Sequence, residues 1–243
     1  SSTATSAALR VGNLELGGVP PPMFQTLREE GFLNITPLTA SHGFVGLQAN
    51  WQREPWGDMR FSRALRCMSD SAAYVQGIDG QGFETPIFPL SETPGGTPWG
   101  LTREEWNAMG PCHGMTEDTD MDERRMIAHD LLHDMGFTHE NPAVVYSFLW
   151  TPFARIGDVA PVLMKFYEDV PHSMISMEWD PIETARAYDK HSTGEFDVSY
   201  WSYLSPRTDP DTYLYEHFLS TSNRNYGKYS NPEVDALINL QSA

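Results

Sequence analysis

The sequence predicts an α/β fold, and two observations carry that expectation. Segments of strand-like composition alternate with segments of helical periodicity along most of the chain. Apolar residues make up 40% of the 243 residues, with 7 Trp, 10 Tyr and 12 Phe, enough to fill a sizeable core and to exclude a disordered chain. The length accommodates one large or two small domains.

The elements follow in order. Residues 4–11 read as a short helix ended by Gly12, residues 20–22 as a turn, and residues 23–30 as a second helix ended by Gly31. Residues 32–37 and 43–50 read as strands. A strong helix spans 59–73, because Phe61, Leu65, Met68 and Ala72 recur at three or four residues. From Gly77 to Gly114 the chain is rich in Gly and Pro without clear periodicity, and reads as long irregular loops anchored by Trp99 and Trp106. The clearest helix follows. Asp120 is placed to cap it, Glu123 three residues on completes a capping-box pattern, and Gly136 ends it. Ile127, Leu131 and Met135 form one apolar row on it, with Ala128 and Leu132 alongside. Residues 143–150 read as a buried strand, 152–167 as a helix interrupted at Pro161, 173–179 as a strand, 182–190 as a helix, 196–203 as a strand, and 213–219 and 233–240 as helices.

Charge and cysteines narrow the functional classes. Sixteen Lys and Arg against 33 Asp and Glu give a formal net charge of −17. Such a surface repels phosphate backbones and anionic lipid, which argues against nucleic-acid and polybasic membrane binding. The longest apolar runs, such as residues 143–146, stop far short of the roughly 18 residues that span a bilayer. The two cysteines, Cys67 and Cys112, can form one bridge in an oxidising compartment or stay buried and reduced, and the position of Cys67 in an apolar helical stretch favours burial. The chain opens with Ser rather than Met and stops inside a helical pattern, so a longer protein is expected.

The loudest local motif is His129-Asp-Leu-Leu-His133-Asp-Met-Gly136-Phe-Thr-His139. It matches the metzincin zinc-protease pattern H-E-x-x-H-x-x-G-x-x-H except that Asp130 replaces the glutamate. Histidines four apart share a helix face, and His139 could close a three-nitrogen zinc site. Aspartate is one methylene shorter than the general base that this chemistry uses. The ordinary alternative is a polar helix face opposite the Ile127–Leu131–Met135 row. Asp118-Thr-Asp120-Met-Asp122 starts like a calcium loop, but Glu123 stands at the required glycine and His129 at the required glutamate, so these acids fit helix capping better. The Gly77, Gly80, Gly82 spacing lacks the preceding strand and following helix of a dinucleotide fingerprint. His191-Ser192 has no partner pattern for a nucleophile. Tyr200, Trp201, Tyr203, Arg207 and Asp209 crowd a strand end and the loop after it, the composition of a concave polar-ligand site and equally of a packed core.

Several segments together resemble the extracellular solute-binding proteins of family 5, in the family's order. Residues 7–16, AALRVGNLEL, look like its A-L-x-x-G-E-I-D helix end. Leu47 to Asn50 followed by Pro55-Trp-Gly-Asp58-Met-Arg60-Phe-Ser-Arg63-Ala-Leu65 is similar to N-x-x-x-x-P-F-x-D-x-R-V-R-Q-A-L, with Met68-Ser-Asp70 where that motif ends in A-I-D-R. Ala128-His-Asp-Leu-Leu-His-Asp-Met-Gly136-Phe resembles A-K-x-L-L-x-E-A-G-Y, which would make the histidines decoration on the family's helix end. Gly194-Glu-Phe-Asp197, Tyr200-Trp201, Asp209-Pro-Asp211, Asn225-Tyr-Gly and Tyr229-Ser-Asn-Pro-Glu-Val-Asp235-Ala-Leu-Ile238 complete the series.

The resemblance implies a periplasmic-binding-protein type II architecture of two α/β lobes around a ligand. Residues 1–45 would be the end of the first lobe up to the hinge strand. Residues 46–243 would be the second, ligand-binding lobe, lacking its C-terminal return. The implied function is the substrate-binding component of an ABC importer, at the periplasmic or extracellular face of the membrane. It is not an enzyme and needs no cofactor. Its partners would be a small-molecule solute and the permease subunits, with no nucleic acid, and the protein would be a monomer. Tyr200, Trp201, Tyr203, Leu204, Arg207 and Asp209 would face the ligand. Leu204 stands where peptide-binding members carry an aspartate, which leaves peptide, sugar or another solute open. The alternatives are a zinc-dependent metzincin-like hydrolase using His129, His133 and His139, and a scaffold or sensor of the same fold.

Overall fold

A computed structural model describes residues 2–15, 22–32, 42–73, 101–114, 116–150, 165–205 and 210–241. Helices α1 (Ser2–Arg10) and α2 (Pro22–Glu29) end at Gly12 and Gly31, both at positive φ, as the glycine positions predict. The guanidinium of Arg10 forks onto the carboxylate of Glu30, at 2.8 Å for each pair, and ties the two helices. The strand expected at 32–37, the loop around Trp99, the turn at Pro20 and most of the helix expected at 152–167 lie outside the described residues.

Strand β1 (His42–Ala49) leads through Trp51 and Trp56 into α3 (Met59–Met68), whose N-terminus Asp58 caps by accepting from the backbone N–H of Arg60. This helix is five residues shorter than its periodicity predicts. Ser69 turns to extended backbone, both its N–H and its hydroxyl return to the carbonyl of Leu65, and Asp70 caps a new turn at Ala73. Helix α4 (Arg103–Ala108) replaces part of the expected irregular stretch. Thr102 and Glu105 close a reciprocal capping box at its start, a signal that the sequence carries in plain form.

Helix α5 (Met121–Asp134) is capped by Asp120 and ended by Gly136 at φ 89°. Its buried row is Arg124, Ala128 and Leu132, while Ile127, Leu131 and Met135 flank it, half-buried. The apolar row named from the sequence is therefore the shoulder of the interface and not its centre, because a buried arginine occupies one central position. Strands β2 (Ala143–Trp150), β3 (Ile175–Ile182) and β4 (Val198–Ser205) alternate with α6 (Thr184–Thr193), and α7 (Pro210–Phe218) and α8 (Pro232–Gln241) follow. Strand β3 runs three residues further than expected, through Pro181. At the edge of the described sheet β3 tolerates that proline, which has no N–H to donate to a ladder.

The described strands form one sheet in the order β1-β4-β2-β3. Strand β2 runs parallel to β3 and β4, and β1 is antiparallel to β4. Alternation sends Ala143, Val145, Ile175, Met177 and Val198 to one face, where α3 and α5 cover them. Tyr146, Asp180 and Ser199 take the other face, under α6. The result is helix, sheet and helix in three layers, the α/β fold that the alternation predicts. Cys67 and Cys112 are bridged as well as buried, with Cα atoms 4.5 Å apart, so burial and oxidation are not alternatives here. None of the described helices is long and apolar enough to cross a membrane.

Candidate functional site

Strand β4 carries the predicted ligand residues and pairs along its whole length with β1. Tyr200 stands opposite Leu47, Trp201 opposite Gly46, Tyr203 opposite Phe44 and Leu204 opposite Gly43. The backbone thus places four of the six predicted residues on one ladder. Arg207 and Asp209 lie outside the described residues.

What is described in full is the base on which that ladder stands. Asp197, just before β4, accepts from the backbone N–H of Tyr146 at 2.8 Å and from the Arg53 guanidinium at 2.7 Å. Its backbone receives the N–H of Asn50 and donates to Tyr146. The buried Asn50 side chain donates to the carbonyls of Gly194 and Phe196. One cluster of polar atoms therefore fixes the end of β1, the start of β4 and the middle of β2 together.

A third segment closes on the same point. The backbone N–H of Trp51 donates to Gly227, and a Cβ at Gly227 would sit 2.8 Å from the carbonyl of Ala49, so only glycine lets the two chains approach. The buried Asn225 side chain donates to the carbonyls of Leu219 and Tyr229 and accepts from the N–H of Tyr229. Tyr229 then meets the Trp51 ring edge-on at 5.7 Å. Asn231 caps α8, and Asp235 reaches back to the N–H and hydroxyl of Ser220. Asn225, Gly227, Tyr229, Asn231 and Asp235 each make a local contact, and together they lash the last helix to the foot of β1.

The opposite face of the sheet is polar and dry. His191 is fully buried, its Nε2 lies 2.9 Å from the Ser199 hydroxyl, and its ring stacks on Tyr226 at 4.7 Å. Burial pushes its pKa down to about 3, with the charge of Lys228 adding to the effect. His217, buried beside Tyr213, is pushed down by burial to about 4. Sequence reasoning found no partner for His191; Ser199, eight residues on, is that partner, and the pair is sealed in the interior. Lys190 donates to the Tyr146 hydroxyl at 2.8 Å and lies over its ring, and Tyr146 donates to Asp180.

The two buried histidines set a pH dependence. Their folded values lie below the unfolded value of about 6.5, so the unfolded chain gains protons first as pH falls, and stability is lost downward from about pH 6.5. Each histidine is expected to contribute a slope of up to about 1.4 kcal/mol per pH unit between roughly pH 6 and pH 4.5. Urea midpoints measured across that range check this. A flat profile would mean that both rings take up protons as readily in the folded chain as in the unfolded one.

The histidines of the zinc-like motif do gather. The His129 ring centroid lies 6.1 Å from that of His133, 6.4 Å from that of His139 and 5.5 Å from that of His172. Among the described residues, however, no three His, Cys, Asp or Glu side chains form a group that could hold a metal ion. The cluster sits at the C-terminal end of α5, on the helix side of the sheet, and not on the β4 ladder. His172 was missed in the sequence, since only the fold brings it to the motif.

Comparison with known proteins places this geometry. No family model matches the chain. The periplasmic oligopeptide-binding protein OppA of Haemophilus influenzae is 24% identical over 233 residues, which cover 94% of this chain and 40% of that protein. The chain is similar to the periplasmic oligopeptide-binding proteins over nearly all of its length. OppA of Escherichia coli is also 24% identical, over 94% of the chain and 39% of its own length. The chain therefore spans about two fifths of the curated relatives it matches. Among solved structures, H. influenzae OppA in complex with RPPGFSPFR superposes with a TM-score of 0.76 at 23% identity, covering 100% of this chain and 45% of that one. The E. coli murein tripeptide binding protein MppA gives 0.72 at 20% identity, over 99% and 44%. NikA of Staphylococcus aureus in complex with Ni(L-His)2 gives 0.67 at 15%, over 99% and 47%. The fold is that of the type II periplasmic binding proteins. Nothing in these likenesses supports the zinc-hydrolase alternative.

Proposed function

We propose that this chain is the ligand-enclosing part of the substrate-binding component of an ABC importer, and that the solute is an oligopeptide. The observation that carries the reading is the alignment of 94% of the chain with oligopeptide-binding proteins, joined to the same fold over its whole length. Residues 1–45 form the end of the first lobe and residues 46–243 the second, with β1 as the strand between them. The clamp at Asn50, Asp197 and Gly227 supports keeping residues 46–243 together, because it fixes the end of β1 to β2 and β4, and β1 pairs with β4 from His42 to Ala49.

In this reading Tyr200, Trp201, Tyr203 and Leu204 meet the ligand, and Arg207 and Asp209 hold its polar ends. An extended peptide offers backbone amides and both termini to such a surface, and pockets for side chains give preference without chemistry. No bond is made or broken, so the protein is no enzyme and needs no resident cofactor. Ligand binding shifts an open–closed equilibrium, and the closed form docks as a monomer on permease subunits. The buried disulfide fits a periplasmic or extracellular location, where the environment is oxidising. Calorimetry of the complete protein with a nonapeptide tests the site. Trp201→Ala is expected to weaken binding about 10-fold or more, as loss of one buried aromatic contact does, and unchanged affinity would remove Trp201 from the ligand face.

A further inference from the structure

Resting on the importer reading, we propose that Arg63, Arg66 and Trp106 form the centre of a docking face for a carboxylate-bearing loop of the permease subunits. Helical spacing lays the face out. Met59, Arg63 and Arg66 stand at i, i+4 and i+7 on α3 and share its outer side, while Phe61, Ala64, Leu65 and Met68 are buried. Met59 is 68% exposed. Across from this stripe lies Trp106 on α4, followed one turn later by Met109, which is 52% exposed. Arginine, tryptophan and methionine are what the centres of interfaces collect, and acids are what they shed.

The charge on this face is unanswered. Arg60 forks onto Asp58, but among the described residues no carboxylate pairs with Arg63 or Arg66, in a chain with 33 Asp and Glu against 16 Lys and Arg. Arg66 is held in place instead. Its guanidinium lies 5.2 Å over the Trp106 ring, and Nη1 donates to His113 Nδ1 at 3.0 Å. An arginine can only donate, so that ring nitrogen carries no proton. Desolvation pushes the Arg66 pKa down, with no carboxylate to offset it. His113 is pushed down by burial and then by the charges of Arg66, Arg63 and Arg124, so a positive field gathers at this point. The disulfide makes the pair rigid. Cys67 follows Arg66 and Cys112 precedes His113, so the bridge pins the two backbones side by side, and Arg124 donates to the carbonyl of Arg66 from beneath. A guanidinium fork already held loses little freedom when a carboxylate meets it. Two copies of a chain at −17 repel each other, and anionic lipid repels it too, so the partner that fits is a locally acidic protein loop.

The test uses the complete protein with its permease and ATPase subunits in lipid nanodiscs, and follows ATP hydrolysis as nonapeptide-loaded protein is titrated in. Arg63→Glu combined with Arg66→Glu is expected to raise the concentration for half-maximal stimulation about 10-fold or more. Nonapeptide affinity, read by calorimetry, stays at the parent's value. Arg186→Glu reverses an exposed arginine on α6, in the opposite layer, and is expected to change neither. Added salt should weaken stimulation by the parent more steeply than by the double variant. Circular dichroism checks folding, and the milder pair Arg63→Gln and Arg66→Gln should shift the titration in the same direction. A double variant that stimulates at the parent's concentration overturns the docking face and leaves the importer reading standing. A parent that binds no nonapeptide sinks that reading and the docking face with it. Sedimentation of the parent as a dimer that the double variant dissolves would give the face to a second copy. Saturable heat from inorganic phosphate that the double variant lacks would give it to a free anion. Either result overturns the assignment.

Discussion

Arg124→Met is expected to destabilise the fold by about 3 kcal/mol or more, a large share of the 5–15 kcal/mol that holds a domain. Arg124 is only 2% exposed. Its guanidinium donates to the carbonyls of Arg66 at 2.9 Å, Cys67 at 3.2 Å, Ser69 at 3.1 Å and Gly114 at 3.2 Å, and to the Thr119 hydroxyl at 3.2 Å. Three of those carbonyls are at the end of α3, where a helix leaves its last acceptors without partners and where the dipole favours a cation. Methionine fills the volume and supplies no donor, so several buried carbonyls lose their bonds at about 1–3 kcal/mol each before relaxation. Arg124→Lys restores the charge without the planar fork and should recover less than half of the loss. Urea unfolding checks both, and an Arg124→Met midpoint equal to the parent's would show that water replaces the guanidinium freely.

Removing the disulfide with Cys67→Ala and Cys112→Ala is the second large effect. The bridge closes a loop of sequence separation 45. The chain-entropy model then gives about 4 kcal/mol, within the 2–5 kcal/mol usual for native bridges. The two effects share parts, because Cys67 also offers its carbonyl to Arg124. A combined variant should therefore lose less than the sum, by about 0.5 kcal/mol or more. Denaturant midpoints of the parent and the three variants measure this. An oxidised parent no more stable than the alanine pair would show that the bridge constrains nothing.

Much of the fold was legible in the sequence because caps and glycines are local. Asp120 marks the start of its helix, and Gly12, Gly31 and Gly136 mark the ends of theirs, with residues whose own chemistry demands it. Strand β2 was placed to the residue because a buried strand is a continuous apolar run. The misplaced parts share a cause in tertiary contact. The end of α3 is set by Ser69 and Arg124, and the buried row of α5 by the same arginine, which no apolar period anticipates. Helix α4 was passed over although Thr102 and Glu105 signalled it, since a six-residue helix carries too few apolar positions to show a period. At the candidate site, the aromatic run of β4 could be read as a strand but not aimed, and the role of Asp197 needed the fold. His172 is 43 positions from His129 and meets it only in three dimensions.

The account rests on capture by enclosure, and small-angle scattering of the complete protein titrated with a nonapeptide tests that most directly. A saturable fall in the radius of gyration near one equivalent of peptide is expected as the lobes close. A scattering curve unchanged through a large excess of peptide would contradict it.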